Sequence, residues 1–154
     1  MSSDLWSFSL ALYARPGVEQ ACLHLQSAGV NVCLLLCGAW LDQRGVACND
    51  QRLLQLRSLI KPWDADVVKP LRALRTQWKS AATSDAELHS LREQVKALEL
   101  EAERHLLLRL ERAAQDWPQH EVSDQSAWLE GVAVNVTPSV RDALHELRVA
   151  VTGS

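Results

Sequence analysis

Apolar residues recur every three or four positions along most of the chain, which is the spacing of one face of an α-helix. The first stripe covers residues 5–12 and is closed by Pro16, while the second covers residues 18–25 and is closed by Gly29. Proline cannot continue a helix and glycine favours its end, so both breaks agree with the periodicity. We therefore predict two short helices at the start of the chain.

Residues 32–41 differ from these stripes because they are apolar on every side. Asn31 is a suitable N-cap, and Gly45 marks the end of a helix over residues 32–44. A helix that is apolar all round and too short to cross a bilayer is typical of the centre of a helical bundle. Gly38 in its interior predicts a close approach by another helix.

Prolines divide the next part of the chain. A helix begins at Asp50 and carries an apolar stripe as far as Pro62, which we expect to end it. Asp64 is then expected to cap a further helix, and Pro70 predicts either a kink in that helix or its true beginning.

The clearest helix start is the sequence Ser84-Asp-Ala-Glu87, which has the pattern of a capping box. A long helix is predicted over about residues 85–116, because Trp117-Pro118 ends it. Its apolar residues step by alternating three and four positions: Leu88, Leu91, Val95, Leu98 and Ala102. Fewer than three regular heptads are too few to require a coiled coil.

Residues 118–136 show no helical stripe, so we predict a long loop there. Thr137-Pro138 gives an N-cap followed by a favoured first helical residue, and an apolar stripe then continues to Val151. The chain, residues 1–154, is therefore predicted to be one all-α domain, a bundle of about seven helices with the apolar helix at its centre. A chain of 154 residues can bury a core without disulfide bonds.

Charge and the start of the chain narrow the range of partners. The formal net charge of −3 argues against general attraction to nucleic acid. No run of 18 apolar residues occurs, so we predict no membrane span. The first residues, MSSDLW, lack the layout of a secretory signal, and we therefore expect a cytoplasmic protein.

Cys33 and Cys37 lie one helical turn apart and raise the question of a metal or redox site. Zinc needs four ligands in compact pairs, and the remaining candidates, Cys22, His24 and Cys48, form no second pair. A buried free cysteine behaves as a small apolar residue. We therefore favour a role in the core, and we predict neither a metal nor a cofactor.

The segment from Asp50 to Lys79 contains seven basic and three acidic residues, whereas residues 85–116 contain five basic and eight acidic residues. Four of the basic residues can share one helix face: Lys69, Arg72, Arg75 and Lys79. They are candidates for contact with an acidic protein partner. The alternative is that this face is solvated, or that it pairs with the acidic long helix.

The first helix junction, Tyr13-Ala-Arg15-Pro-Gly17, is the best candidate for a small-ligand pocket, because polar groups at a sharp junction can converge on a cavity. The candidate pocket residues are Tyr13, Arg15, His24 and Trp40. The alternative is a structural turn, since proline and glycine already explain the break.

Three stretches resemble the start of a small proteobacterial family of uncharacterised helical proteins: Leu5-Trp6, LALYARPGVEQACLHLQ (Leu10–Gln26) and VNVCLLLCGAWL (Val30–Leu41). The lengths also agree. The resemblance implies a bacterial cytoplasmic protein with an all-α fold, and it transfers no ligand or catalytic residue.

Sequence motifs of the common enzyme classes, such as the nucleophile elbow, the phosphate-binding glycine loop and His-Glu-x-x-His, are missing. The first hypothesis is therefore a non-enzymatic regulatory or adaptor protein that binds another protein through the long helix or the basic segment. The alternative is a small-ligand binder or enzyme with a pocket near the N-terminal helices. A cavity containing Arg15 and His24 favours the alternative, and an exposed apolar strip on residues 88–102 favours the first hypothesis.

Overall fold

The computed structural model describes residues 4–120, 127–133 and 136–152. Within these ranges the chain forms helices and no strand, which confirms the all-α prediction. The α-helices are α1 (Asp4–Tyr13), α2 (Val18–Ser27), α3 (Val32–Gln43), α4 (Asp50–Trp63), α5 (Lys69–Gln77), α6 (Ala86–Ala114), α7 (Ala127–Val132) and α8 (Pro138–Thr152). A π-helical turn, Asp64–Val68, joins α4 to α5, and a short 3-10 turn, Ala81–Thr83, precedes α6.

Helix α3 is the central helix, as its apolar sequence predicts. The Asn31 side chain caps it by accepting a hydrogen bond from the Leu34 N–H at 3.0 Å. Nine consecutive residues, 33–41, are buried, because α1, α6, α7 and α8 pack around them. Neither α3 nor any other helix in the described part combines the length and apolarity that a membrane crossing needs.

The prediction of a loop over residues 118–136 is wrong at residues 127–132, which form α7. Two residues of this helix, Trp128 and Leu129, donate backbone N–H bonds to the Asp42 carboxylate at 3.0 and 3.2 Å. A helix this short has little stability of its own, so it depends on this contact with α3. Residues 121–126 and 134–135 of the predicted loop lie outside the described residues.

The close approach predicted at Gly38 is made by α7. A Cβ atom at Gly38 would lie 3.3 Å from Val132 Cγ2 and 3.4 Å from Trp128 Cβ. Glycine therefore lets the two helices touch, and the missed helix explains the glycine that the sequence singled out.

The prediction that Pro62 ends α4 and that Asp64 caps a new helix is wrong. Pro62 lies inside α4, and Asp64 has helical backbone angles. The chain remains helical because it widens into a π turn between Pro62 and Pro70, where the Lys69 N–H donates to the Asp64 carbonyl, five residues earlier. Proline lacks the N–H of a regular helix and crowds the carbonyl four residues earlier, and the π turn lies directly ahead of Pro70, where the regular hydrogen-bond pattern would otherwise be interrupted. Pro70 lies in the first turn of α5, in agreement with a helix that begins there.

The long helix α6 matches its predicted range within two residues at each end. Its N-cap is Asp85, which accepts from the Leu88 N–H at 3.1 Å, and the capping box predicted at Ser84 is wrong by one position. The Ser84 hydroxyl instead donates to the Ala81 carbonyl and closes the 3-10 turn.

The described chain has two parts, which we name the body and the arm. The body contains the connected apolar core, built from α1–α4, α7, α8 and the second half of α6. The arm is residues 69–100, which comprise α5, the 3-10 turn and the first half of α6. No arm residue belongs to the core of the body, although Ala82 and Val95 are buried within the arm itself.

Candidate functional site

The four predicted pocket residues lie in different surroundings. Tyr13 is half-buried, and burial raises its pKa to about 12. Arg15 donates from its guanidinium to the Ala150 carbonyl of α8, whereas His24 is exposed on the outer face of α2. Trp40 is buried in α3 and donates from Nε1 to the Asp4 carboxylate at 3.3 Å. Arg15 lines a surface cavity with Leu12 and Ala150, and the walls of that cavity do not include Tyr13, His24 or Trp40.

Two of the four basic residues predicted to contact a partner are held inside the arm. Arg75 donates from Nε to Glu99 Oε1 at 2.6 Å, and Arg72 donates from Nε to Glu99 Oε2 at 3.2 Å. Glu99 is one of the few buried charged residues, and a buried carboxylate needs such partners. The pairing of the basic face with the acidic long helix, which the sequence offered as an alternative, is therefore present at these two arginines.

The other two basic residues are exposed to solvent. Lys69 lies 3.4 Å from the Asp64 carboxylate, and Lys79 lies at the end of α5 beside the 3-10 turn. An exposed ion pair of this kind contributes about 0–1 kcal/mol to stability.

A cavity of about 170 Å³ lies where the junction of α2 and α3 meets the π turn and the middle of α6. We call it the polar cavity. Its polar side chains come from four segments of the chain: Gln26, Asn31, Cys33, Asp64, Lys69, Arg72 and Glu103. The apolar part of its wall includes Val30, Val68 and Leu106, all of which are buried. Irregular turns of the π type are frequent at functional sites, and the π turn here forms part of the cavity wall.

Two carboxylates line the polar cavity, and Glu103 has a more distant cation than Asp64 has. Burial raises its pKa above the ordinary value, and the nearby Glu99 carboxylate raises it further. The nearest cation is the guanidinium of Arg72, whose Nη2 lies 3.8 Å from Glu103 Oε1. That guanidinium also bonds to Glu99, and the Gln26 amide oxygen, turned toward it, accepts from it at 2.7 and 3.1 Å.

The Cys33 thiol belongs to the core although it reaches the edge of the polar cavity. It donates weakly to the Glu103 carbonyl oxygen, with the sulfur 3.9 Å away. Burial raises its pKa well above the ordinary value, and burial also raises the pKa of Cys37 to about 12. Since the thiolate is the reactive form of cysteine, both side chains are poor nucleophiles at neutral pH.

An apolar strip runs along the arm, and it is the second candidate site. Leu91 and Leu98 on α6 are 50% and 56% exposed, whereas Val95 and Ala102 between and beyond them are buried. Leu74 on α5 is also exposed. We use the name apolar strip for Leu74, Leu91 and Leu98. Leu91 and Leu98 belong to the incomplete heptad seam that the sequence predicts on α6, whereas Leu74 on α5 lies outside that prediction.

Sequence reasoning missed the polar cavity. Pro62 and Pro70, eight residues apart, are the available signal for an irregular turn, but by sequence alone Pro62 indicates a helix end and Pro70 a kink or a helix start. Gln26, Asn31 and Glu103 carry no pattern that relates them, because they come together only when α6 packs across the junction of α2 and α3.

A comparison with protein families gives one match, to a family described as "Protein of unknown function (DUF2390)", over residues 4–110. No curated protein and no solved structure matches the chain. The matched region is well over half of the chain, and it contains every residue that lines the polar cavity and every residue of the apolar strip. The chain therefore belongs to the DUF2390 family.

Proposed function

We propose that this protein has a non-enzymatic, adaptor-like role and that it binds an amphipathic helix of another protein along the apolar strip. The observation that carries the proposal is the half exposure of Leu91 and Leu98 on a pair of helices that no third helix within residues 4–120, 127–133 and 136–152 covers. The bound helix has an apolar stripe flanked by Lys and Arg residues.

The arm is an incomplete helical bundle. Helix α5 carries an amphipathic sequence with Leu71, Leu74 and Trp78 on one side, yet none of its nine residues is buried. The elements that pack closely on α5 are α6 and the π turn. An amphipathic helix is stabilised by burying its apolar face, so a third helix on this pair would complete the burial.

Helical geometry places the apolar strip on one side of the arm. The buried residues Val95 and Ala102 form a line on α6 that separates Glu99 from Leu98, which are about 100° apart around the helix. On α5, Leu74 is about 200° from Arg72 and about 100° from Arg75, the two residues that bond to Glu99. Ion pairs therefore occupy one side of the arm, and leucines occupy the other.

A row of exposed polar residues on α6 lies next to the apolar strip and indicates which charge a bound helix should carry. Glu87, Gln94 and Glu101 are exposed and follow one another at seven-residue intervals on α6, beside Leu91 and Leu98. Glu101 lies 3.9 Å from the guanidinium of Arg104, a long and exposed pair that leaves the carboxylate open to solvent. The carboxylates of this row attract basic residues on a partner and repel acidic residues, which favours a basic amphipathic helix over an acidic one.

The experiment measures binding of two fluorescent peptides by anisotropy. Both are amphipathic helices of about 18 residues with the same leucine stripe, one with Lys and one with Glu on the flanks. The parent protein is expected to bind the Lys peptide at least about tenfold more tightly than the Glu peptide. The variant Leu91→Gln/Leu98→Gln is expected to lose at least about tenfold in affinity for the Lys peptide.

Leu100→Gln is the matched control, because Leu100 is 57% exposed on the same helix but lies about 180° from Leu91. It should bind like the parent. Equal loss in this variant would mean that the peptide adheres to any exposed leucine, and equal binding of both peptides would remove the charge argument. Sedimentation of the parent that shows a dimer, dissociated by the double variant, would make a second copy of the chain the occupant and overturn the proposal.

A further inference from the structure

The polar cavity is a built site where the start of the arm meets the body, since Lys69 and Arg72 of α5 line it, and it shares no residue with the apolar strip. Its wall is made by the junction of α2 and α3, by the π turn and by α6, so that three separate parts of the fold meet there. Its volume of about 170 Å³ is more than ten times the space that one water molecule needs by the same type of measure. A small organic molecule therefore fits.

The cations around the cavity are already committed to partners. Arg72 bonds to Glu99 and faces the Gln26 amide, and Lys69 lies 3.4 Å from Asp64. The 3.8 Å separation between Arg72 and Glu103 is too long for a good hydrogen bond. Glu103 is thus a partly buried carboxylate whose charge remains incompletely compensated, which is unfavourable unless a cation joins it.

The rest of the wall is apolar. Val30, Val68 and Leu106 are buried side chains that contribute to it. A ligand that matches both parts of the wall has one positively charged end, which contacts the Glu103 carboxylate, and a short hydrocarbon part, which packs against the apolar side chains.

We propose that the polar cavity binds a small organic cation, a protonated primary amine on a short aliphatic chain, with its ammonium group donating hydrogen bonds to the Glu103 carboxylate. The ammonium adds a second cation to Glu103, whose ion pair with Arg72 is long and shared with Glu99, and the aliphatic chain lies against the valines and the leucine. An anion is disfavoured, because the guanidinium of Arg72 already has oxygen partners. Within the described residues there is no group of three or more His, Cys, Asp or Glu side chains arranged to hold a metal ion, which favours an organic cation over an inorganic one.

The test uses the full chain and three probes of equal length: 1-butylamine, which is protonated at neutral pH, 1-butanol and butyrate. Two-dimensional amide NMR spectra follow each titration at constant pH and ionic strength. Saturable shifts are expected with butylamine alone, at the backbone amides of cavity residues such as Asn31 and Val68. Equal shifts with butanol, stronger binding of butyrate, or no shift with any probe up to high millimolar concentration would overturn the proposal.

Two variants locate the ammonium. Glu103→Gln removes the charge at constant shape and is expected to weaken butylamine binding at least about fivefold, since hydrogen bonds to charged groups are among the strong ones. Glu101→Gln is the matched control on the exposed face of α6, two residues away, and should bind like the parent. Val68→Met reduces the cavity and retains Glu103, so it should weaken butylamine binding as well, and parental affinity in this variant would place the ligand outside the cavity. Retention of parental affinity in Glu103→Gln, with its spectrum showing a folded chain, would overturn the assignment.

Discussion

Helices α3 and α5 are both short, yet they differ completely in how much of each helix is buried. In α3, nine of twelve residues are buried in one unbroken run, and in α5 none of nine residues is buried. Helix α3 lies at the centre of the body with helices on several sides, whereas α5 lies on the arm with α6 as its main neighbour. The comparison shows that the body holds itself together by apolar packing, while the arm depends on one helix contact and on the ion pairs of Glu99.

The largest difference is expected from leucine truncation in the two parts. Leu35→Ala in α3, where the side chain is 1% exposed, should lower the free energy of unfolding by about 2–5 kcal/mol through lost burial and a residual cavity. Leu91→Ala in the arm should change it by about 0.5 kcal/mol or less. Urea denaturation monitored by circular dichroism measures both. Equal losses would mean that Leu91 is packed as tightly as the core and would remove the distinction.

The next effect is expected at the ion pairs of the arm. Glu99→Gln removes the charge that holds Arg72 and Arg75, and it should cost about 1.5–3 kcal/mol, because hydrogen bonds between charged and partly buried groups are lost. Glu93→Gln is the control, since Glu93 makes exposed ion pairs with His89 and Lys96 that contribute about 0–1 kcal/mol.

Amide hydrogen exchange shows where that loss is located. In Glu99→Gln we expect faster exchange in α5 and unchanged protection in α3, because the arm can open without the body. Uniformly faster exchange across both helices would instead show that the body and the arm unfold as one unit.

A smaller effect is expected where α7 joins the body. Asp42→Ala removes the carboxylate that accepts from the Trp128 and Leu129 N–H groups, and the typical cost of losing such a helix cap is about 0.5–2 kcal/mol. The comparable change in the arm is Asp85→Ala, which removes the exposed N-cap of α6. We expect the loss at Asp42 to be the greater one, since the groups released there are partly buried. A greater loss at Asp85 in thermal denaturation would contradict this order.

The smallest effect follows from the thiols, all of which lie outside the arm. Burial raises the pKa of Cys22 and of Cys37 from 9.0 to about 12. Between pH 9 and pH 12 the unfolded state has released each thiol proton while the folded state still keeps it. The stability that the two protonated thiols contribute is therefore fully present below pH 9 and is lost as the pH rises toward 12. At pH 9 the linkage amounts to about 0.4 kcal/mol for each of these thiols.

Urea denaturation at pH 7 and pH 9 measures this loss, and Cys22→Ala/Cys37→Ala should reduce the difference between the two pH values. The double variant is less stable at both pH values because it removes buried atoms, so the informative quantity is the difference and not the absolute stability. An unchanged difference would assign the pH dependence to the other thiols, Cys33 and Cys48, whose pKa values burial also raises.

Much of the fold could be predicted from local patterns. Asn31 and Thr137 act as the predicted caps, with their side-chain oxygens accepting from the N–H groups of Leu34 and Val140. Such features depend on a few neighbouring residues, which is why the sequence reveals them. Gly38 was recognised as a contact point, but its partner α7 was missed, since a six-residue helix is too short to show a periodic stripe.

The candidate sites were predictable to different degrees. The apolar strip follows from the spacing of Leu91 and Leu98, and only their exposure required the structure. The predicted pocket residues Arg15 and His24 were placed together on the basis of proximity in sequence, and in the structure one contacts α8 while the other faces solvent. The role of the basic face was left open, because its two arginines can pair only if α6 brings Glu99 to them.

The sequence by itself determined that this chain is helical and which of its helices is central, because hydrophobic periodicity and end caps act over a single turn or two of chain. The tertiary structure alone decided that the chain continues through its prolines as a π turn. It also decided that Glu99 pairs with Arg72 and Arg75 of the basic face and that Glu103 meets Gln26 and Asn31 around one cavity. These outcomes depend on distances between segments far apart in the chain, and such distances are fixed by the packing of whole helices against one another.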